Sequence, residues 1–432
     1  MNFSRRHFLT LAGAAVATST LAACGSNSGG LDAGSSSTPS GSGSAAGGNK
    51  PTLKHWYHEY GEAGTQEAVK KYAAAYDKAD VQVKWNVGDY AKLLSAALLT
   101  EDVPDVFEAE MGPSIDMIKA GQVADLTDVV GTAKGRFDEE LIERMTYEGK
   151  IYGIPQVADM HLLYYRKSLL EKAGVKPPTT FEELAAAAAK VRTKDVGGLF
   201  VGNDGIGPIP TALLYASGND WLNQGRTGAG FLDESFYQAL VKYRELFNSG
   251  DLLQSASKDW FDGSAFANGE TAMQWGGLWS MTDIEKVLGD DFGVIPFPAI
   301  GSKGTQATMF GAFGACVSAK ASNVQAAKDY VKWLWVDQGE YQVDFANNYG
   351  THVPSQPALA PQCTKLASGP GADAAQIFTA NGRPASHILW SGAMGEAFNA
   401  AVSNVIKKKA APATEFATVG KVVASELKRI KG

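Results

Sequence analysis

From Thr52 onward the chain repeats one local pattern, a short strand-like run followed by an amphipathic helix. Thr52–Tyr57 reads as a strand, and Val69, Tyr72 and Tyr76 follow it at helical spacing. Val81–Val87 alternates apolar and polar residues as a half-buried strand does, Tyr90–Leu99 is helical, and Asp105–Phe107 opens another strand. Ser114–Ala120 is a helix that stops at Gly121. This alternation predicts an α/β fold with a largely parallel sheet. Lys150–Pro155 and Met160–Tyr165 read as two further strands, and Thr180 with Glu183 has the spacing of a capping box before the next helix. Phe236–Trp279 reads as mainly helical; Phe292–Pro298 and Ala312–Ser318 return as strands. Val324–Val336, Phe398–Ile406 and Val419–Ile430 complete the helices. At 432 residues the chain is long enough for two or three domains with sizeable cores.

The first fifty residues do not follow this pattern. Arg5 and Arg6 precede an uncharged stretch that ends in small residues at Ala23, the layout of an export signal over residues 1–23. The apolar part is too short to be a membrane span. Leu21-Ala22-Ala23-Cys24-Gly25 resembles the lipobox of bacterial lipoproteins, which implies lipid attachment at Cys24. The paired arginines before Phe8-Leu9 also resemble a Tat signal, although a Sec route accepts a basic start as well. Residues 25–49 hold eight Gly and eight Ser in 25 positions, too little apolar surface to offset the entropy of ordering them. As a flexible coil the segment would span about 25–30 Å, enough to tether a folded body clear of a membrane.

Charge narrows the function classes. The net charge is −7, and removing Arg5 and Arg6 with the signal would bring it near −9. An acidic body with no Lys/Arg cluster before Lys407–Lys409 lacks the footprint of a nucleic-acid binder. Three cysteines are too few for a disulfide scaffold or a cysteine-based zinc module.

Several stretches, in order, are similar to one family. Pro104-Asp105-Val106-Phe107 is followed by Gly121-Gln122-Val123-Ala124-Asp125-Leu126. Gly149-Lys150-Ile151-Tyr152-Gly153-Ile154-Pro155 leads into Leu163-Tyr164-Tyr165-Arg166. Phe266-Ala267-Asn268-Gly269 precedes Ala272-Met273 and then Gly276-Gly277-Leu278-Trp279. With Leu53–Tyr57 and Ala315–Leu334, these resemble extracellular solute-binding proteins of the maltose-binding type, the receptor subunits of carbohydrate ABC importers. Arg166 departs from the Asn usual there. The resemblance implies two discontinuous α/β lobes that close by a hinge around a ligand cleft. Lobe one is expected at 50–157 plus 292–343, and lobe two at 158–291 plus 344–432. It also implies a monomeric receptor that takes a di- or oligosaccharide, delivers it to an ABC permease, and needs no cofactor or metal.

A sugar offers apolar C–H faces for aromatic rings and hydroxyls that need partners once desolvated. The resemblance places Trp279 and Trp390 as stacking aromatics and Asp159 as an acidic contact at the first crossing between lobes. Glu108 and Glu110, spaced i, i+2 past a strand, would face one side of an extended segment. His58 and Glu59 follow the first strand, where ligands of open α/β sheets bind. Asp220 and Trp221 in a polar loop, and Arg383, complete the candidates; Phe313, Tyr349 and His352 are weaker.

Three readings compete. A glycoside hydrolase would use two of these carboxylates at a defined separation. A metal receptor would need His55 and His58, but i and i+3 residues of a strand point to opposite faces. A receptor for a solute other than sugar remains the third. Cys316 and Cys363 lie in different lobes or near a crossing by this topology; export would permit a bridge, yet two buried thiols are expected.

Overall fold

The computed structural model describes residues 50–432, so the export signal, Cys24 and the Gly/Ser tether lie outside the described residues. Its strands, in chain order, are β1 Thr52–His58, β2 Asp80–Asn86, β3 Val106–Ala109, the short hairpin β4 Thr146–Tyr147 and β5 Lys150–Ile151, and β6 Ile154–Arg166. There follow β7 Leu199–Phe200, β8 Leu252–Leu253, β9 Met273–Gly277, β10 Phe292–Ile295, β11 Thr308–Val317, β12 Val353–Pro354 and β13 Gly382–Pro384.

The order across the main sheet is β2-β1-β3-β11-β6-β9-β7-β8, with β10 and β12 also on β6 and β13 on β11. The two ends are parallel, β1 with β2 and β3, and β7 with β8 and β9. The centre is antiparallel: β11 runs against β3 and β6, and β6 against β9 and β10. The expectation of a largely parallel sheet is therefore corrected. Strand–helix alternation describes the flanks, whereas β6 carries the chain out of the first half and β11 brings it back in the opposite direction.

Two further expectations change for the same reason. Lys150–Pro155 and Met160–Tyr165 do not form two separate strands; β6 is continuous for 13 residues and nearly all buried. It pairs with β11 through Ile154–Met160 and with β9 through His161–Tyr165. Pro155 stands second in the strand, where a missing N–H is tolerated, and Gln156 and His161 are polar yet buried. Within the stretch read as mainly helical, Glu234–Ser249 is a helix, but Met273–Gly277 is β9, buried at every position.

Three apolar clusters support the sheet. Tyr57, Val69, Val106, Tyr330, Trp335 and Phe345 pack around the β1 end. Phe236, Tyr243, Trp275, Phe297, Phe398 and Phe416 fill the β9–β7 end under the helices Gly392–Lys407 and Pro412–Lys431. Tyr164, Phe266, Phe292 and Ile377 lie against the far part of β6. Arg166 pairs with Asp291 at 3.0 Å, tying the end of β6 to the turn before β10. Cys316 and Cys363 are both free and buried, and burial pushes both thiols up, that of Cys363 to about 11.

The helix Phe181–Val191 starts with a complete capping box: the Glu183 amide donates to Thr180 Oγ1 and the Thr180 amide to Glu183 Oε2, both at 3.2 Å. Thr180→Ala is expected to cost about 1 kcal/mol, read as a lower urea midpoint at unchanged slope.

Candidate functional site

Where β1 and β3 end beside the middle of β6 and β11, a chamber of about 340 Å³ opens. Strand alternation sets its inner wall. His55 points inward, its Nδ1 3.2 Å from the Tyr330 hydroxyl, while His58 reaches the chamber. His58 stacks on Phe313, with ring centroids 4.0 Å apart and planes at 13°.

Beneath them lies Glu108, fully buried on β3. It accepts from the His58 amide at 3.1 Å, His58 Nδ1 at 2.7 Å and the Tyr60 hydroxyl at 2.6 Å. Burial and this carboxylate hold the Tyr60 phenol well above its ordinary range. Glu108 is thus a strut under the wall and not part of its surface, which corrects its reading as a ligand contact. The i, i+2 argument fails because β3 ends at Ala109 and Met111 turns the chain with φ 54. Glu110, exposed on that turn, does line the chamber, as does exposed Glu59. Glu108→Gln, which puts an NH₂ where only donors point, is expected to cost about 1–2 kcal/mol of folding stability in urea melts.

Asp159 lies on β6 at the chamber's edge and ends on His352, whose Nδ1 is 2.8 Å from Asp159 Oδ1. His352 Nε2 is 2.7 Å from the Tyr349 carbonyl and 3.4 Å from Glu62 Oε1. Both ring nitrogens face oxygen acceptors, an arrangement that calls for a proton on each. Burial alone would lower the His352 pKa, but the Asp159 and Glu62 carboxylates outweigh it and hold the ring up at about 10.

The opposite wall is aromatic. The Trp279 indole is half-buried and donates from Nε1 to the Phe261 carbonyl at 2.8 Å. Trp260 stands near it, with centroids 6.3 Å apart and planes at 66°. Gly277 permits this placement, since a Cβ there would fall 2.2 Å from the Trp279 ring atoms. His161 lies 5.5 Å from Trp279, is 5% exposed, and keeps Nδ1 without a partner. Burial drives its pKa down to about 3, so the ring is neutral. His161, Trp260, Phe261 and Tyr60 were not among the residues the sequence singled out.

A second chamber of about 880 Å³ is lined by Asp220, Trp221 and Arg383, with Glu140, Tyr215 and Arg226. A small void of about 10 Å³ shares Met111, Gly311 and Ala385 with the first chamber and Glu140, Arg144 and Ser386 with the second. The Asp220 carboxylate accepts from the Trp221 amide at 2.6 Å, and partial burial pushes its pKa up. Trp221 is 5% exposed, so little of its ring is open to the chamber. Trp390 lines neither chamber. Its ring packs 4.7 Å from Trp221 and also against Phe231 and Phe398. The helix begins at Gly392 behind the Ser391 cap, leaving Trp390 just outside it, half-buried against that cluster. That placement corrects its reading as a stacking platform. The structure thus gathers His58, Glu59, Glu110, Asp159 and Trp279 at one chamber and Asp220, Trp221 and Arg383 at another.

Aromatic faces opposite carboxylates suit a hydroxylated solute: rings pack on its apolar faces, and carboxylates accept from its hydroxyls. Comparison with known proteins agrees with this geometry. The sequence profile of the family described as bacterial extracellular solute-binding protein matches residues 62–339. The maltodextrin-binding protein MdxE of Bacillus subtilis is 27% identical over 243 residues, 53% of this chain and 54% of that protein. The diacetylchitobiose binding protein DasA of Streptomyces coelicolor is 24% identical over 298 residues, 64% of this chain and 65% of that protein. The curated relatives named here are therefore matched over less than two thirds of their own length, and others over only about a third, 34%. Among solved structures, the GacH receptor of Streptomyces glaucescens, crystallised unliganded and with acarbose, superposes at TM-score 0.71 with 26% identity, covering 88% of this chain and 99% of that one. A Thermotoga lettingae ABC transporter solute-binding protein bound with α-D-tagatose gives TM-score 0.75 at 19% identity, covering 88% and 100%. The fold is that of the two-lobed binding proteins, and the chain belongs to the family of bacterial extracellular solute-binding proteins.

Proposed function

We propose that this protein is the receptor subunit of a carbohydrate ABC importer, taking a di- or oligosaccharide into its cleft and presenting it to the permease. The observation that carries this reading is the first chamber, where Trp260 and Trp279 face Glu59, Glu110 and Asp159 across a space the size of a sugar unit or two. Family membership and relatives named for maltodextrin and diacetylchitobiose binding support it. The carboxylates serve as acceptors for polar hydrogens of the ligand, and the protein performs no hydrolysis. Ligand would stabilise the closed form by touching both lobes, whose boundaries we place near residues 157, 292 and 343. We further propose that the protein is exported, monomeric and lipid-anchored at Cys24, with the Gly/Ser segment as tether. No helix among the described residues is long and apolar enough to cross a membrane.

The test is a thermal-shift screen of the purified protein against mono-, di- and oligosaccharides, with amino acids and metal ions as controls. Ligand at 100 times its dissociation constant adds about 2.7 kcal/mol. One carbohydrate class should raise the midpoint; a response to amino acids or metals alone, or reducing sugar released on long incubation, would overturn the assignment.

A further inference from the structure

The first chamber has an unusual charge balance. Its lining includes the carboxylates of Glu59, Glu62, Glu110 and Asp159 and contains neither Lys nor Arg. His352 compensates Asp159 and Glu62 from below, its nitrogens 2.8 Å and 3.4 Å from their oxygens. Glu59 and Glu110 are exposed, and neither has a hydrogen-bond or ion-pair partner among the described residues. Facing them, the indoles of Trp260 and Trp279 meet at 66° and form a corner. His161, 5% exposed behind that corner, is uncharged and keeps Nδ1 without a hydrogen-bond partner among the described residues.

A neutral sugar needs acceptors and donors in comparable number, because each hydroxyl does both. Unpaired carboxylates accept only, and the face of an indole, two of which line the chamber, attracts a cation. Together they match a positive charge better than a neutral hydroxyl group. We infer that the first chamber seats a cationic nitrogen, and that the ligand is an amino sugar or an oligosaccharide with an unacylated amine at that end. This rests on the carbohydrate reading above and narrows its substrate class. A neutral His161 adds no repulsion to such a group.

The experiment is calorimetric titration of the purified protein with three disaccharides of one linkage geometry: chitobiose with free amines, its N,N′-diacetyl form, and cellobiose. At neutral pH and low salt the free-amine sugar is expected to bind about tenfold or more tightly than either neutral one. The advantage should shrink as salt screens the exposed carboxylates. Glu59→Gln with Glu110→Gln should weaken the free-amine sugar at least tenfold more than the two neutral ones, bringing the three affinities together. Equal or weaker binding of the amine form overturns the inference, as does a double variant that loses all three sugars equally, since the carboxylates would then be reading hydroxyls. If no sugar of any class binds in the wider screen, the receptor reading falls and the amine preference falls with it.

Discussion

Replacing His352 with leucine is expected to destabilise the fold by about 3 kcal/mol, the cost of leaving the Glu62 and Asp159 carboxylates, 9% and 24% exposed, without their partner. His352 is fully buried, and its ring joins three segments distant in sequence: Glu62 after β1, Asp159 on β6, and Tyr349 beside its own loop. The pH dependence has a definite sign. The ring's pKa rises from 6.5 unfolded to about 10 folded, so the native state holds a proton that the unfolded chain has released across that window. Stability from this group is complete below pH 6.5 and is lost as pH climbs through about 10. A displacement of this size amounts to about 4–5 kcal/mol in total. Urea unfolding of the parent and of His352→Gln at several pH values between neutral and alkaline isolates it, because the difference between the two removes lysine and tyrosine titration. A difference that does not change with pH would mean that the ring is neutral and the Asp159 contact an ordinary hydrogen bond.

The same three-way contact shows why parts of the site were legible in sequence and parts were not. Features set by neighbours along the chain could be read directly. β1 and β2 announce themselves by alternation, Ser114 caps its helix through the Met117 amide, and Thr180 and Glu183 form their box. Trp279 was reached through the resemblance, on the Gly-rich approach Gly276-Gly277, and the ring needs Gly277 to lie where it does. Features set by distant partners could not be read. β6 passes from β11 to β9 without a break, and its polar residues resemble an interruption until their partners are known. His161 was hidden in that misreading, as Trp260 was in a stretch taken for helix. Glu108 and Glu110 look equivalent two residues apart; the turn at Met111 separates a buried strut from an exposed wall group. Trp390 was placed by analogy at the cleft, and only the cluster of Trp221, Phe231 and Phe398 shows that its ring is occupied elsewhere.

Trp279→Ala is expected to weaken carbohydrate binding about thirty- to a hundredfold, or about 2–2.7 kcal/mol, with a much smaller effect on folding. The indole is half-buried, and its one polar bond is to the Phe261 carbonyl at 2.8 Å at an exposed position, so its removal leaves no deeply buried group without a partner. What is lost is the flat apolar surface on which a sugar ring would lie and the wall that keeps water out of the chamber. Trp279→Phe should recover part of the affinity, because a smaller ring keeps the face but not the Nε1 bond that holds it in place. Gly277→Ala gives an independent version of the same test. It keeps the tryptophan but sets a methyl 2.2 Å from the ring's present position, so the indole must move. Affinity should fall in this variant too, with a change in tryptophan fluorescence and without loss of the side chain. Titration calorimetry on all three variants decides the matter. If Trp279→Ala and Gly277→Ala both bind as the parent does, the ligand does not stack in the first chamber. The second chamber at Asp220 and Arg383 would then become the place to look, although little of Trp221 is open there.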